Sequence, residues 1–498
     1  MKKSKITYIL PSAILAVPPL MPAACAAAVS GTPKNDGTED CQEKMNVLML
    51  IVDDLRPELN CYGASYMHTP NIDRFARSGV LFENAYCNVP VSGASRASLF
   101  SGLRPGNTRY WDVNAEIDVE APGNLTLPQH FRENGYITIA NSKVIHGKDD
   151  TRERSWDESW YPELKSSTWR DYLGDENLSV EKQKGGPAAY ECLDVEDNAY
   201  SDGKTADKTI ADLRRLAGSG KPFFLAAGIL KPHLPFNAPA RYWDLYPESG
   251  ITLPETFNFD RTGFPQQAFH TFGEIRYYKN VPAEGSIPED ESLRLIRGYR
   301  AAVSYSDAQI GRILDELERL GLDKNTVVIL LGDHGWSLGD HGQWCKHSNF
   351  DIVTNAPLIL RIPGNRRTGK ESKVVEFVDI YPTLCEAAGL PVPSHTEGES
   401  LVALAKGKDK NWKDCAIVKW HSGVTYVDRK YSYTIWNDKK ENYKAQMLFQ
   451  RENDPSETHN VAENPENQGI INKLRQEILS RRGKDFMMET AQPVKSKK

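Results

Sequence analysis

The stretch Asn46–Val52 reads NVLMLIV, is followed directly by Asp53 and Asp54, and decides the fold class of this chain. A nearly continuous apolar run of this length is typical of a strand that is buried on both faces, as strands of parallel sheets are. The two aspartates then lie at the carboxyl end of the strand. Ligands of open α/β folds bind beyond that end. The stretch therefore predicts a buried strand that ends at a polar site.

Similar apolar runs recur along the chain, at residues 136–140, 223–229 and 326–331. Helix-like stretches lie between them, and the longest has charged and apolar residues interleaved over residues 293–320. Strands that alternate with helices indicate a doubly wound α/β sheet with helices on both faces.

The pattern changes after about residue 389. Short β-rich runs separated by turns follow, at residues 416–420, 425–427 and 431–436, and then a helix near residues 468–481. A chain of 498 residues has room for a large domain and a small one. We predict a catalytic domain at residues 45–388, a C-terminal subdomain with an antiparallel sheet and a helix at residues 389–485, and a flexible tail at residues 486–498.

The N-terminus has the pattern of an export signal. Lysines near the first residue precede an apolar run of small residues, and residues 24–26 (ACA) offer a cleavage site. We assign residues 1–28 to a signal peptide and residues 29–44 to a linker, which predicts export, to the periplasm in a bacterium. Prolines interrupt the apolar run, which disfavours a stable membrane span. Lipoprotein anchoring at Cys25 is the alternative, and the proline at position 22 disfavours it.

Composition excludes some classes of partner and site. The formal net charge of −6 argues against nucleic acid, whose phosphates recruit a basic surface, but a small anionic substrate needs only a local group of cations. The cysteines after the signal peptide form no CxxC pair, which argues against a zinc site or a dense disulfide framework. We expect most of them to be small buried apolar residues: Cys41, Cys61, Cys87, Cys192, Cys345, Cys385 and Cys415.

Polar clusters follow the predicted strands closely. They are Asp53-Asp54, Lys143 to His146, Lys231 to His233, and Asp333-His334. Because parallel strands end at one edge of a sheet, these carboxylates, lysines and histidines should meet there. Adjacent aspartates are ordinarily solvated turn residues. With further oxygen ligands they suit a hard cation, Ca²⁺ or Mg²⁺, better than zinc.

Ser92 precedes a stretch that can begin a helix. A serine in this position is most often an N-cap. The same place also suits chemistry, since a helix N-terminus attracts anions and Arg96 lies one turn away on the same face. A serine and an arginine at an anion-binding helix end fit sulfuryl or phosphoryl transfer.

Residues 92–105 (SGASRASLFSGLRP) resemble the signature of the type I sulfatase family: Cys or Ser, any residue, Pro or Ala, Ser, Arg, then Leu-x-Thr/Ser-Gly-x-Arg-Pro. Residues 69–73 (TPNID), 79–86 (GVLFENAY) and 453–462 (NDPSETHNVA) also resemble this family. The resemblance spans about residues 46–463. It implies an alkaline-phosphatase-like mixed sheet flanked by helices, the hydrolysis of sulfate esters, and a catalytic formylglycine made from Ser92.

Three further stretches are similar to the branch of iduronate and bacterial uronate 2-O-sulfatases: residues 142–146 (SKVIH), 231–236 (KPHLPF) and 333–346 (DHGWSLGDHGQWCK). This branch implies a metal ion, Ca²⁺ in preference to Mg²⁺, held by Asp53, Asp54, Ser92, Asp333 and His334. It also implies a group around the nucleophile and sulfate, composed of Arg96, Lys143 and Lys346. His146 would serve as base and His233 as acid, or the reverse. The expected contacts with substrate come from Lys143, His233 and Lys346.

Two departures from the familiar pattern place the chain in the serine-type branch. Ser92 stands where cysteine is usual, and Ala94 where proline is common. The resemblance implies conversion of Ser92 by a radical-based maturase before export. An aldehyde hydrate is needed because its second hydroxyl can expel the sulfate that the first has accepted. Unmodified Ser92 should leave the enzyme nearly inactive.

Other histidines and tryptophans have plainer interpretations. His341, in a second Gly-Asp-His-Gly run, competes with His334 for the metal, and we favour His334 because it directly follows a strand. His421, beside Trp420, is a candidate to reach the substrate from the second domain. We expect the remaining residues of this kind to be structural or packing residues: His68, His130, His270, Trp336 and Trp344.

The first functional hypothesis is an exo-acting glycosaminoglycan sulfatase. It would remove the 2-O-sulfate from a non-reducing terminal uronate, Δ4,5-unsaturated where lyases act first, in heparin, heparan or chondroitin fragments. The alternatives are another sugar position, a phosphoesterase of the alkaline phosphatase superfamily, or an inactive glycan-binding protein. The expected partners are a sulfated oligosaccharide and the maturase.

Overall fold

An eight-stranded mixed sheet forms the centre of the protein in this computed structural model. The structure describes residues 44–271, 273–408, 410–437 and 443–486. The predicted signal peptide, the linker before residue 44 and the tail after residue 486 lie outside these residues. Among the residues described, no helix is both long and apolar enough to cross a bilayer.

The strands of the described chain are β1 (Asn46–Val52), β2 (Val80–Tyr86), β3 (Ile137–Ser142), β4 (Glu158–Trp160), β5 (Tyr190–Leu193), β6 (Phe223–Ile229), β7 (Phe236–Pro239), β8 (Thr326–Gly332), β9 (Ser337–Leu338), β10 (Trp344–Cys345), β11 (Leu358–Arg361), β12 (Gly369–Glu376), β13 (Cys415–Trp420), β14 (Gly423–Asp428), β15 (Tyr431–Asn437) and β16 (Tyr443–Gln450). The helices are α1 (Pro70–Ser78), α2 (Ser92–Ser101), α3 (Ile117–Glu120), α4 (Leu127–Glu133), α5 (Arg152–Ser155), α6 (Asp175–Val180), α7 (Ser201–Ala217), α8 (Ala240–Trp243), α9 (Glu289–Arg319), α10 (Asp351–Thr354), α11 (Ile380–Ala387), α12 (Val402–Ala405) and α13 (Gln468–Phe486).

The central sheet has the strand order β12-β2-β11-β8-β1-β6-β3-β4. Strands β8, β1, β6 and β3 are adjacent and parallel, and they are the four strands that the apolar runs predicted. Strand β11 is antiparallel to both of its neighbours, β8 and β2, which makes the sheet mixed.

Helices cover both faces of this sheet. Alternate side chains of β1 belong to two separate cores: Leu48 and Leu50 lie in the core that contains residues of α7 and α9, and Val47 and Met49 in the core that contains residues of α2, α4 and α11. All seven residues of β1 are buried. A strand covered on both sides must be apolar at every position, which is why its sequence does not alternate. The predicted doubly wound, alkaline-phosphatase-like fold is confirmed.

A second, antiparallel sheet of four strands follows, in the order β13-β14-β15-β16. One of its faces packs against α13, with Ile435 and Leu448 from the sheet and Leu474 and Ile478 from the helix in one core. This is the small sheet-and-helix unit that the sequence predicted. By its contacts the described chain from Lys44 onward forms one unit, so the boundary between residues 388 and 389 stays a prediction.

A buried ion cluster joins the two sheets. Glu376, at the end of β12, accepts hydrogen bonds from Arg104, from Lys413 at 2.7 Å and from the backbone N–H of Ile417 at 3.1 Å. Lys413 also lies 2.7 Å from Asp379. Cationic and anionic groups from both parts of the chain therefore neutralise one another out of water.

Candidate active site

Four strand ends place the predicted site residues together. The backbone N–H of Asp53 donates to the carbonyl of Ile229, and that of Asp333 donates to the carbonyl of Val52, each at 3.0 Å. The end of β1 is thus held between the ends of β6 and β8. Strand β3 pairs with β6 on the other side and brings Lys143 and His146 to the same edge.

Carboxylates and one imidazole form a cluster that fits a divalent cation. Ligand atoms of Asp54, Asp333 and His334 all lie within 4.8 Å of one another. Nδ1 of His334 lies 2.9 Å from the carbonyl of Gly335, which can only accept, so this nitrogen carries the proton. The lone pair of Nε2 is left to face Asp54 and Ser92, as in a metal-ligating histidine. With Asp53, these residues offer the mainly oxygen donor set of a Ca²⁺ or Mg²⁺ site.

The pKa values of these buried carboxylates are shifted in different directions. Burial raises the pKa of Asp54 well above its ordinary value and that of Asp333 to about 6. Burial acts on Asp53 in the same direction, but the charge of Lys143, with the nearby His233 ring and Arg96 guanidinium, holds the pKa of Asp53 well below the ordinary value. Burial, followed by the charge of Lys346, lowers the pKa of His334 to about 3, so its ring is neutral and free to bind a cation.

Ser92 is fully buried at the first turn of α2 and does not cap it. The cap position belongs to Val91, and the Ser92 hydroxyl lies 3.1 Å from both Oδ1 of Asp53 and Nε2 of His334. The ordinary interpretation of Ser92 as an N-cap is therefore wrong, because its hydroxyl faces the carboxylate cluster instead of its own helix.

Arg96 and two lysines surround this cluster. Arg96 donates from Nε to Asp333 at 2.9 Å, from Nη2 to Asp53 at 3.0 Å, and from Nη1 to the carbonyl of Val144 at 3.1 Å. Nζ of Lys143 contacts Asp53. Nζ of Lys346 lies 3.0 Å from Asp54. Each predicted cation therefore contacts a predicted metal ligand.

His233 contacts a carboxylate that the sequence did not single out, Glu274. Nδ1 of His233 lies 2.7 Å from the carbonyl of Leu234 and must donate to it, while Nε2 lies 3.1 Å from Oε1 of Glu274. A proton on either partner would make this second contact a hydrogen bond. Burial, then the charges of Lys346 and Lys143, lower the pKa of His233 to about 4. The carboxylate of Glu274 opposes that shift by stabilising the protonated ring.

Glu274 also lies 3.3 Å from Nζ of Lys346 and so joins two of the predicted residues. It belongs to an irregular segment just before the short 3-10 turn Ile275–Tyr277, follows no strand and carries no motif. Local sequence therefore gave no signal for it. Glu274 can be recognised only from the three-dimensional structure, in which it contacts both Lys346 and His233.

His146 follows β3 and lies near Lys143. Its Nδ1 is buried without a hydrogen-bond partner in the described structure. Burial, followed by the charge of Lys143, lowers the pKa of His146 to about 3. The ring is neutral at ordinary pH, and a neutral imidazole with a free nitrogen can accept a proton.

A cavity of about 810 Å³ adjoins the cluster and is lined in part by Lys143, His146, His233, Glu274 and Lys346. His347 lines it too, and its ring stacks at 5.1 Å on Trp420 of β13. His421 contacts the rings of Trp420 and Trp111. The second sheet therefore approaches the cavity through this aromatic group.

The other singled-out residues lie apart from the cluster or are packed. The ring of His341 stacks on Phe350 at 4.0 Å, and its Nε2 lies 2.8 Å from the carbonyl of Ser456. Trp336 and Trp344 are buried in the core. His68 and His130 contact Tyr246 and the carbonyl of Pro391, and His270 contacts His347. The described cysteines are unpaired, and four of the six are buried while Cys192 is exposed.

A model of the sulfatase family matches residues 45–390 of this chain. The chain belongs to the sulfatase family. A second model, described as the C-terminal part of N-sulphoglucosamine sulphohydrolase, matches residues 339–484. Sulfatases hydrolyse sulfate esters, generally with a formylglycine and a divalent metal. The resemblance of the signature around Ser92 is thus confirmed at the level of the family.

Relatives and solved structures agree with this assignment. Iduronate 2-sulfatase of Homo sapiens is 36% identical over 415 residues, which cover 74% of this chain and 72% of that protein. A sulfatase of Formosa agariphila is 30% identical over 441 residues, 85% of this chain and 84% of its own length. The structure of a 2-O GAG sulfatase superposes with a TM-score of 0.68 over 88% of this sulfatase and 92% of that chain, at 24% identity, and shares its fold.

Proposed function

We propose that this sulfatase is an exo-acting glycosaminoglycan sulfatase that removes the 2-O-sulfate from a non-reducing terminal uronate, Δ4,5-unsaturated in lyase products. The observation that carries the proposal is the position of the Ser92 hydroxyl, 3.1 Å from both Asp53 and His334, next to a cavity lined by lysines and histidines. Similarity to iduronate 2-sulfatase supports the choice of uronate O2.

The size of the cavity supports action at a chain end. A volume of about 810 Å³ is within the range of pockets that hold one compact ligand. A terminal sugar with its sulfate fits such a pocket, whereas an endo-acting enzyme needs an open groove for a polymer.

The chain's own residues supply binding, charge and proton transfer. Lys143 and Lys346 offset negative charge on sulfate as it accumulates in the transition state, a preorganised electrostatic role. Arg96 fixes Asp53 and Asp333 and thereby holds the floor of the site. Conversion of Ser92 to formylglycine supplies a second hydroxyl that allows release of bound sulfate.

The two histidines are assigned opposite proton roles. His233, whose Nε2 lies 3.1 Å from Glu274, donates a proton to the leaving sugar oxygen. His146, neutral and with a free Nδ1, accepts the proton of the geminal hydroxyl. A poor alkoxide leaving group needs such an acid. Glu274 stabilises the protonated ring of His233, whereas Nδ1 of His146 has no hydrogen-bond partner among the described residues and can accept a proton.

Asp53, Asp54, Asp333 and His334, together with the modified Ser92, are the residues that would hold Ca²⁺. A bound divalent cation polarises sulfate and favours a deprotonated nucleophile. Maturation by a serine-type radical maturase and export of the mature chain complete the proposal.

A phosphoesterase is the second candidate on this fold. Two-zinc phosphoesterases need more histidine ligands than the cluster provides, since His334 is accompanied by three carboxylates. Expression with and without the maturase separates the two. Maturase-dependent release of sulfate from an aryl sulfate supports the proposal, and maturase-independent release of phosphate from the matching aryl phosphate contradicts it.

The position on the sugar requires a second assay. Matured enzyme is offered unsaturated disaccharides sulfated at uronate O2, at glucosamine O6 or at glucosamine N, and chondroitin-type disaccharides in parallel. We expect sulfate release from the 2-O-sulfated compounds. Release from the glucosamine sulfates alone would refute the uronate assignment and leave the sulfatase assignment intact.

A further inference from the structure

Trp169 stands at the mouth of the active-site cavity and remains 44% exposed. Burial of an indole ring removes a large apolar surface from water and is energetically favourable, so an exposed tryptophan at a cavity suggests that a ligand covers it. Two other exposed apolar side chains, Val113 and Tyr161, line the same cavity. Three of the eight exposed large apolar side chains among the described residues therefore line this one cavity, and such a group of neighbours is typical of a ligand surface.

The segment that carries Trp169 is held firmly. The carboxylate of Glu181 accepts a hydrogen bond from the backbone N–H of Ser167 at 2.9 Å and one from the Thr168 hydroxyl at 3.3 Å, and the hydroxyls of Ser166 and Ser167 also donate to it. The guanidinium of Arg170 lies 4.9 Å from the Trp169 ring and 4.0 Å from that of Tyr277. An exposed ring fixed in this way loses little conformational entropy when it binds a ligand.

Trp169 contacts His233, a residue of the proposed reaction. Its ring meets that of His233 edge to face, with centroids 4.9 Å apart and planes at 87°. In the proposed reaction His233 faces the sugar oxygen that leaves sulfur. A saccharide joined to the desulfated sugar therefore leaves the cavity past this tryptophan.

One further cationic side chain, Lys148, lines the same cavity. Lys148 is exposed, lines the cavity and has no acidic partner within the described chain. The other lysines of the lining, Lys143 and Lys346, both contact aspartates of the cluster. Lys148 is thus available for an anionic group of the substrate outside the reacting sulfate.

We infer that Trp169 and Lys148 form a subsite for the second sugar of the substrate, the residue linked to the sulfated uronate. The inference rests on the proposed function. The C–H face of a pyranose stacks on the indole ring, and Lys148 pairs with a sulfate on that second sugar. The enzyme then prefers sulfated disaccharides to the matching monosaccharide.

Kinetics on a pair of probes test this subsite. Matured wild type, Trp169→Ala, Trp169→Phe and Lys148→Ala are assayed on the unsaturated 2-O-sulfated uronate and on its disaccharide with glucosamine 6-sulfate. We expect Trp169→Ala to lose about tenfold in kcat/KM on the disaccharide through KM, and less than about twofold on the monosaccharide. Trp169→Phe should retain most of the preference, and Lys148→Ala should lose part of it.

Tyr66→Ala is the matched control, because Tyr66 is 51% exposed but does not line the cavity. It should leave both substrates unaffected. If Trp169→Ala lowers kcat equally on both probes, the residue only supports His233 and the subsite is refuted. An unchanged preference for the disaccharide would refute it as well.

A binding measurement separates failure of the subsite from failure of the proposed function. Protein made without the maturase keeps plain Ser92 and should bind both probes with little turnover, so calorimetry reports affinity alone. Selective weakening of disaccharide binding by Trp169→Ala supports the subsite, and equal weakening refutes it. Wild type that turns over only 6-O-sulfated probes refutes the uronate proposal, and the same comparison on the 6-O-sulfated pair then decides the subsite.

Discussion

The hydroxyl of Ser92 faces Asp53 and His334, although the serine lies where a cap would be expected. Capping would have used this oxygen for a backbone N–H of α2. Its absence leaves the dipole end of the helix and the hydroxyl directed at the same point as three carboxylates. The hydroxyl therefore serves the carboxylate cluster at some expense to the helix.

Ser92→Ala tests that role of the hydroxyl. We expect loss of sulfate release by more than about 1,000-fold, since the variant has no group from which a nucleophile can be made. The melting temperature should change little, because no cap is lost. Mass spectrometry of the wild-type peptide should show the loss of a pair of hydrogens after co-expression with the maturase, and Ser95→Ala should keep that mass change.

Protons compete with a metal ion for the carboxylates of the cluster, so the affinity for Ca²⁺ should depend on pH. Burial raises the pKa of Asp333 from 3.8 to about 6, so the folded, chelator-treated protein gains stability from this carboxyl as pH falls towards 4 and loses it as pH rises through 6. A cation must displace that proton. Affinity for Ca²⁺ should therefore fall about tenfold for each pH unit below 6.

Thermal unfolding at a series of Ca²⁺ concentrations measures this effect without any turnover. The Ca²⁺-induced rise in melting temperature should be larger at neutral pH than near pH 5. Asp333→Asn removes one titrating ligand and should lower both the affinity and the pH dependence, while Asp54, whose pKa is also raised by burial, retains the remaining pH dependence. An equal rise at both pH values in wild type would contradict the assignment of Asp333 as a ligand.

At the scale of elements, strand β6 places the loop that holds Lys143. A Cβ added to Gly228 would lie 2.1 Å from the backbone carbonyl carbon of Lys143. The close approach of β6 to the end of β3 is what allows Arg96 to reach the carbonyl of Val144. Glycine is required here by space, since its backbone conformation is an ordinary one.

Gly228→Ala should therefore displace Lys143 and its neighbours. We expect about a 100-fold loss of kcat, because a shift of about 1 Å in a catalytic group has that effect, and a stability loss of about 1–3 kcal/mol from overpacking. Gly218→Ala is the control, with 3.9 Å to its nearest neighbour, and should change neither. Sulfate release and urea unfolding measure the two effects.

Sequence alone predicted the elements whose signal is local. Strands β1, β6 and β8 are apolar at nearly every position because both of their faces are covered, and the polar clusters closely follow them. Strands β2, β11 and β12 were not predicted. β11 has only four residues, β12 begins with the polar stretch GKES, and both depend on pairing with β2, which is distant in sequence.

The same limit applied to the site. Residues at strand ends or inside a family motif could be found, but Glu274 lies in an irregular segment and Trp169 in a loop held by Glu181. Their importance comes from neighbours supplied by the tertiary fold. The pairing of Lys346 with Glu274 joins side chains 72 positions apart, which no local pattern encodes.

At the scale of the whole molecule, the cluster around Glu376 joins the catalytic sheet to the second sheet. Lys413 lies 2.7 Å from both Glu376 and Asp379, and its side chain is 6% exposed. Lys413→Met leaves two buried carboxylates with one cation fewer. We expect about 3 kcal/mol of destabilisation, the lower end for breaking a buried pair, because Arg104 still contacts Glu376.

Denaturant unfolding measures that loss. Lys373→Met is the matched control, since Lys373 is 28% exposed and lies 3.4 Å from Asp414, and it should cost less than about 1 kcal/mol. Two separate unfolding transitions in Lys413→Met would indicate that the cluster also couples the sheets. An unchanged free energy of unfolding in Lys413→Met would contradict the stabilising role of the cluster.

The full burial of Ser92 bears on the order in which the chain is modified and folds. Its hydroxyl is enclosed by Asp53, 39 positions earlier, and by His334, 242 positions later. In the proposed maturation, the modifying enzyme has to reach the serine while the ribosome or a slow folding step still holds the second half of the chain away from the first. Maturation and folding therefore compete in time, and variants that speed the docking of β8 should leave more of the protein permanently unconverted.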